Sequence, residues 1–278
     1  MTTPSVKAGR RPLFSTAIVP VALKRLGLVL VAAVIAIVLW IVVLAVFDVN
    51  PLIGARPWQV WSYLVTDDDA AAHVDTLGTA LGVTLRDTAI GYVVGIIAAA
   101  TIAIVFVLSR VVEDALMPIM LVVRTMPLVV LTPLITFMLG NGLGSVIVVI
   151  VLVVFFPAVV MIVEGLRSAS PQLVDYVRVY RGSRVTLLRT VLLPSAVPAL
   201  FAAARLTVPA AAAGALIAEW LATGDGLGGL ISRSAGAFAY TQMWSAAVIA
   251  TAVTMFAYAV MSVIDAIVVG RFSPETAH

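Results

Sequence analysis

The chain has 278 residues, 62% of them hydrophobic and 11% charged, with a mean hydropathy of +1.15. That balance excludes a soluble domain and defines a polytopic membrane protein. A net charge of +3 without any basic run gives no reason to invoke nucleic acid, and the absence of cysteine removes disulfides, thiolate chemistry and cysteine-ligated metal sites.

Residues 1–25 read as a polar, proline-containing arm, and residues 26–278 as a single transmembrane domain. A bilayer core about 30 Å thick needs roughly 20 apolar residues per helix. Apolar stretches at 26–47, 88–108, 115–139, 146–163, 196–222 and 246–269 predict an all-α protein with six transmembrane helices, the third interrupted by Arg124, Pro127 and Pro133. The first stretch is too long for a signal-peptide core and no A-x-A site follows it, so it is read as a retained span. Residues 57–65, with Trp58 and Trp61, suit a helix lying at an interface.

Orientation follows from the bias of Lys and Arg toward the cytoplasmic side. With the N-terminus inside, Lys7, Arg10, Arg11, Lys24, Arg25, Arg110, Arg167, Arg178, Arg181, Arg184, Arg189 and Arg271 are cytoplasmic, twelve of the 17 basic residues. Both termini then face the cytoplasm, and Asp67, Asp68, Asp69 and Asp75 lie outside. No internal repeat is evident, so a pathway needs a second copy. Pro127, Pro133, Pro157 and Pro209 free backbone groups that only protein or water can satisfy, so their helices are expected to line a cavity on the axis of a homodimer.

The stretch 167–191 is long and charged for a loop in so apolar a chain. Ser170 and Pro171 suit a helix N-cap and first turn. Gly182 breaks that helix before a second one with Val185, Leu188 and Leu192 on one face. Pro194 is expected to end this second helix and Pro198 to open the fifth span.

Charges inside spans are expensive and are functional candidates by default. Arg124, in the third span, either attracts an anion or pairs with Glu219 or a carbonyl to hold the bundle; Glu219, in the fifth, carries the same two readings. Arg205 and Asp265 are expected to pair or snorkel. Tyr92, Thr125, Met126, Pro127 and Trp220 are candidates for lining the pathway, with ordinary packing as the other reading.

There is no G-x-x-x-x-G-K-[ST] loop, and the chain's lysines are Lys7 and Lys24 alone, so any nucleotide is bound elsewhere. The histidines, His73 and His278, form no H-E-x-x-H, and G-x-S-x-G is also missing. No catalytic residue, metal site or bound cofactor is expected, and the chain does not read as an enzyme.

From Asp175 to Pro194 the spacing resembles the coupling loop of ATP-binding-cassette importer permeases: an acidic residue, two small, three variable, a glycine, nine variable, an aliphatic, one variable, then Leu-Pro. Asp175 takes the acidic position, Tyr176 and Val177 the small ones, Val191 the aliphatic and Leu193–Pro194 the end. Arg181 stands where the pattern has glycine, and Gly182 is one residue late. The resemblance extends over about 84–271. The run from Val123 through Arg124 and Pro127 to Pro133 and Leu134, the turn 140–144, the Glu164–Arg167 segment, and Ala218-Glu219-Trp220 ahead of Gly226-Leu227-Gly228 are similar to the nitrate/sulfonate/taurine branch.

The resemblance implies a type I importer permease architecture in a bacterial plasma (inner) membrane. It implies coupling through Asp175, Tyr176, Val177, Arg178, Tyr180, Arg181, Gly182, Ser183, Leu193 and Pro194, and an outer gate at Gly226, Leu227 and Gly228. The implied partners are a second permease copy, two ATPase subunits that hold ATP and Mg, an extracytoplasmic solute-binding protein, and no nucleic acid. The branch carries small anions, while near relatives carry pyrimidine precursors of thiamine and riboflavin, to which Glu219–Trp220 is more similar. The competing class is an ATP-independent ion-coupled transporter or channel with Arg124, Glu219 and Asp265 as its path.

Overall fold

The computed structural model describes residues 31 and 34–272, so the arm 1–25 and the start of the first expected span lie outside the described residues. Every regular element among the described residues is helical. The chain divides into two compact units, 1–59 and 60–278.

In the first unit, α1 (Val34–Val46) is a short apolar helix. A turn follows in which Asp48 takes a left-handed φ of 46° and the Leu52 amide donates to Asn50 Oδ1 at 2.9 Å, an Asx turn. The Arg56 amide, at the start of α2 (Pro57–Trp61), is satisfied by Gln59 Oε1 at 2.7 Å.

In the second unit, a π turn (Ser62–Thr66) precedes α3 (Ala70–Leu108), which is 39 residues long against the 21 expected for 88–108. Nothing between 70 and 87 breaks a helix. No proline occurs there, Gly78 and Gly82 face open space, and Asp67, Asp68 and Asp69 precede the N-terminus, where negative charge is favourable. Arg86 and Asp87 neutralise each other at 2.8 Å. Asp75, expected in an outer loop, is therefore helical.

The expected third span is two helices, α4 (Arg110–Thr125) and α5 (Leu128–Leu139), bent by 105°. Met126 is extended (φ −72°, ψ 129°), as the residue before a proline must be, and Pro127 opens α5. Arg124 consequently sits in the last turn of α4, beside the bend of this broken span.

After left-handed Gly140 (φ 83°), α6 (Leu143–Arg167) leads to α7 (Pro171–Val179). Next comes a continuous 40-residue helix: α8 (Arg184–Leu187), a π turn (Leu188–Leu192), α9 (Leu193–Ala218) and a second π turn (Glu219–Thr223). Pro194 therefore does not end a helix, nor does Pro198 open one. The wide turn just ahead of Pro194 absorbs the missing donor by slipping the hydrogen-bond register. The same slip rotates the face, so Val185 is exposed while Val191 and Leu192 are buried. Helices α10 (Gly226–Gly236) and α11 (Tyr240–Phe272) complete the unit.

Among the described residues, four helices are long and apolar enough to cross a membrane, or five if α4 and α5 count as one broken span. The six expected spans are thus not reached among the described residues. The first expected span falls partly outside them and contributes only the short α1.

Helices α3, α6 and α9 form the core, and small residues let them approach. Gly91, Gly95, Ala99 and Ala103, four residues apart, form the buried stripe of α3. A Cβ on Gly91 would stand 2.7 Å from Ile150 Cβ, and one on Gly165 would collide with Ala199 Cβ. Arg205 of α9 meets Asp265 of α11 at 3.4 Å, so of the two expected outcomes, pairing or snorkelling, they pair. Because Gly165 meets a helix opposite it, Gly165→Val should cost about 1–3 kcal/mol through overpacking, seen as a lower thermal midpoint in detergent; Gly78→Val, facing open space, should change it far less.

Candidate translocation cleft, gate and coupling loop

The 167–193 loop is built from α7, a tight turn and α8. Ser170 occupies the N-cap position of α7 with Pro171 as its first residue, but its hydroxyl bonds Gln172 and not an amide of the helix. Val174 and Val177 pack onto the helix bundle, while Leu173, Tyr176, Val179 and Tyr180 face outward, the two tyrosine rings 4.8 Å apart. Asp175 and Arg178 are both exposed and 3.5 Å apart, a contact worth little on a surface.

The turn after α7 is a Schellman motif: the Gly182 amide reaches the Val177 carbonyl and the Arg181 amide the Arg178 carbonyl, both at 2.9 Å. Arg181 takes the left-handed position (φ 54°), which costs about 1 kcal/mol relative to glycine. Gly182 is needed for a different reason: a Cβ there would lie 2.5 Å from Val177 Cγ1 and 2.9 Å from its carbonyl oxygen. The one-residue displacement of the glycine is thereby explained. Ser183 caps α8, its Oγ accepting from the Thr186 amide at 3.1 Å.

At the bend between α4 and α5 lies a cleft of about 360 Å³. Its walls are Val123 and Arg124 of α4, Met126 at the break, Leu128 and Leu131 of α5, Leu152, Val153, Phe156 and Pro157 of α6, and Ala210 of α9. Pro157 cannot donate to the Val153 carbonyl, and both residues border the cleft, the setting in which a membrane helix tolerates a freed backbone group. Arg124 is exposed and forms no ion pair among the described residues.

Of the sequence candidates, Arg124 and Met126 share this cleft, and Pro127 is the adjoining break. Thr125 bonds its own helix at Val122 O (2.7 Å), Tyr92 donates to the Ala204 carbonyl (2.7 Å), and Trp220 is exposed; none of these three lines the cleft. The apolar wall residues on α5 and α6 carry no individual signal in the sequence; Pro127 and Pro133 mark the first of these helices and Pro157 the second as cavity-lining.

Glu219 does not pair with Arg124. It is fully buried, and Oε2 accepts from Thr84 Oγ1 and the Gly228 amide, each at 2.9 Å. Thr84 Oγ1 in turn accepts from the Leu227 amide at 2.8 Å. These two amides are orphan donors in the first turn of α10, so Thr84 of α3 and Glu219 of the second π turn cap α10 from outside it. Gly226 (φ 63°) lies so close over the carboxyl group that no Cβ fits. Gly226, Leu227 and Gly228 are thus held as one buried knot with Glu219. Arg124, Glu219 and Asp265 sit in three separate environments: the cleft, this knot and the Arg205 ion pair.

Residues 91–274 match the family described as binding-protein-dependent transport system inner membrane component. The chain belongs to that family. It is 27% identical over 218 residues to the taurine transport system permease protein TauC of Escherichia coli, covering 78% of this chain and 79% of that protein. It is 31% identical over 157 residues to the riboflavin transport system permease protein RibX of Chloroflexus aurantiacus, covering 56% of this chain and 59% of RibX. A solved chain of the MetNI methionine ABC transporter in inward-facing conformations has the same fold, with a TM-score of 0.59 at 19% identity, over 73% of this chain and 99% of that one. The chain is therefore a permease subunit of the ABC importer class, an inner-membrane component with several membrane-spanning helices, and not an enzyme family.

Glu219→Ala would strip the acceptor from a buried hydroxyl and a buried amide, and should cost about 2–5 kcal/mol, lowering the thermal midpoint in detergent. Glu219→Gln keeps one acceptor oxygen and should cost less than half of that. A separate test concerns the turn: Gly182→Ala should increase protease cleavage within 179–184, because its Cβ meets the Val177 backbone, whereas Arg181→Gly should not.

Proposed function

We propose that two copies of this chain form the transmembrane core of an ATP-driven importer, with an ATPase docked under each 167–193 loop and an extracytoplasmic binding protein delivering solute at the Glu219 end. Both termini and α7 lie on the cytoplasmic side in this reading. ATP and Mg are held by the partner chains, whose closure draws the loops together and opens the cleft outward, with hydrolysis returning it inward. The observation that carries the reading is the double face of α7: Val174 and Val177 anchor it to the bundle, while Leu173, Tyr176, Val179 and Tyr180 present an apolar, aromatic surface beside Asp175, Arg178 and Arg181.

Asp175, Tyr176, Val177, Arg178, Tyr180, Arg181, Gly182 and Ser183 carry the coupling, with Leu193 and Pro194 at its junction with α9. Arg124, Met126 and Pro127 serve the pathway, and the knot at 226–228 serves as the outer gate. Support for a small polar or anionic solute comes from the unpaired Arg124 and from similarity to a taurine permease; similarity to a riboflavin permease supports a heterocyclic solute instead. The ion-coupled alternative gains nothing from the separation of Arg124, Glu219 and Asp265.

Gentle purification of the tagged protein from its native membrane, with mass spectrometry of what accompanies it, is expected to recover a P-loop ATPase near equal stoichiometry. A clean oligomer that moves solute in liposomes without ATP would overturn the reading. Asp175→Arg should lower ATP-driven uptake at least about tenfold, the loss of one interface contact of about 1.4 kcal/mol or more, without changing the thermal midpoint. Normal uptake with normal ATPase association would remove the coupling role of Asp175.

A further inference from the structure

Helix α4 has 16 residues and a single buried one, the carboxylate Glu113. Glu113 is in direct contact with Arg167, the last residue of α6 and four residues ahead of α7. The Glu113 side chain is 11% exposed and that of Arg167 46%. The rest of α4 meets the bundle through half-buried Val112, Leu116, Met117 and Met120, apolar contacts that set no direction and slide at little cost. An Arg–carboxylate pair is directional, and here the carboxylate end is largely out of water.

Both ends of α4 are joints. Before it, Ser109 is the single extended residue (φ −141°, ψ 100°) separating it from α3; after it comes the 105° bend at Met126–Pro127. The α3 side of the first joint is itself held, since Arg184 of α8 donates to the Leu108 carbonyl at 3.3 Å. At 1.5 Å per residue, Glu113 lies about 6 Å beyond Ser109 and Arg124 about 22 Å beyond it. A rotation of α4 about Ser109 therefore displaces Arg124 about four times as far as it displaces Glu113.

We propose that the Glu113–Arg167 ion pair is the link through which the 167–193 loop drives α4 and carries Arg124 across the cleft. Glu113 and Arg167 are positioning residues of the transport cycle, with Ser109 as the pivot, held by Arg184. This rests on the importer reading above: a load applied to α7 reaches Arg167 through the three residues 168–170, passes to Glu113, and is amplified along α4.

The native chain lacks cysteine, so one introduced thiol reports alone on this subunit. Leu131→Cys places it in the cleft wall on α5, opposite the residues α4 would move. In the intact complex with its ATPase, the rate of N-ethylmaleimide labelling at this site is measured with and without ATP plus vanadate, alongside ATP hydrolysis. The wild-type pair should show a nucleotide-dependent change in labelling. Glu113→Gln and Arg167→Gln should each shrink that change by about fivefold or more, in the range of a single coupling contact, while hydrolysis per complex stays within about twofold. The exchange Glu113→Arg with Arg167→Glu should restore it.

A full labelling change in either single variant overturns the proposal. So does a proportional loss of labelling change and hydrolysis, which would make the pair merely structural. If a single variant does not assemble, the exchanged double variant decides: restored hydrolysis with restored labelling supports the link, and restored hydrolysis without it sinks the link. Failure of the unsubstituted chain to bind any ATPase would instead defeat the importer reading itself.

Discussion

A bilayer offers no partner to a free amide or carbonyl, and the arrangement of this chain follows from that constraint. The backbone stays helical through long runs and departs from helix where something else satisfies it. At Met126–Pro127 the departure borders a cleft that also receives the freed carbonyl opposite Pro157. At 224–228 the amides that start α10 are met by Glu219 and Thr84. At 180–183 the last carbonyls of α7 are closed by the Schellman bonds. The three places with functional interest are thus the places where the hydrogen-bond ladder is handed from one element to another.

Packing among α3, α6 and α9 works without much help from the hydrophobic effect, since lipid is as apolar as the helices. Close approach at Gly91 and Gly165 supplies dispersion contacts in its place. Charges within the bundle follow the same economy of pairing: Arg86 with Asp87, Glu113 with Arg167, Arg205 with Asp265. Glu219 departs from it by taking neutral donors, and Arg124 stands outside it at the end of α4 and on the cleft. Position at a helix C-terminus favours its charge, but that stabilisation leaves all five guanidinium donors available to something else.

Much of this was legible from residues alone. Apolar run length identified the membrane class, and the spacing from Asp175 to Pro194 identified the family and placed the exposed loop. For Arg205 and Asp265 the residues left two outcomes, pairing or snorkelling, and the 3.4 Å contact is the first of them. Helix ends were less legible. The N-terminal extension of α3 to Ala70 was hidden because polar residues in a helix that emerges from lipid read as loop. Pro194 read as a stop because a π turn, which leaves no residue signature, absorbed its defect. Arg124 and Glu219 were read as potential partners on the strength of opposite charge. Their separation depends on a 105° bend and on a glycine loop folding over Glu219, both products of tertiary geometry. Glu113 carries no signal of its own in the sequence, since an acid near the end of an apolar stretch is unremarkable until its burial is seen.

The two π turns that bracket α9 have a consequence for how this helix tolerates changes in chain length. Each such turn holds one residue more than an α-helical turn needs. Removing one residue within Leu188–Leu192 or Glu219–Thr223 can be absorbed by relaxation to ordinary helix, with the flanking faces nearly preserved. Removing one inside Leu193–Ala218 has no such reserve. It would swing Ala203, Thr207, Ala211 and Gly214 by about 100° off the buried face. Length variation among related chains should therefore collect at the two ends of this helix, and its middle should keep a fixed count.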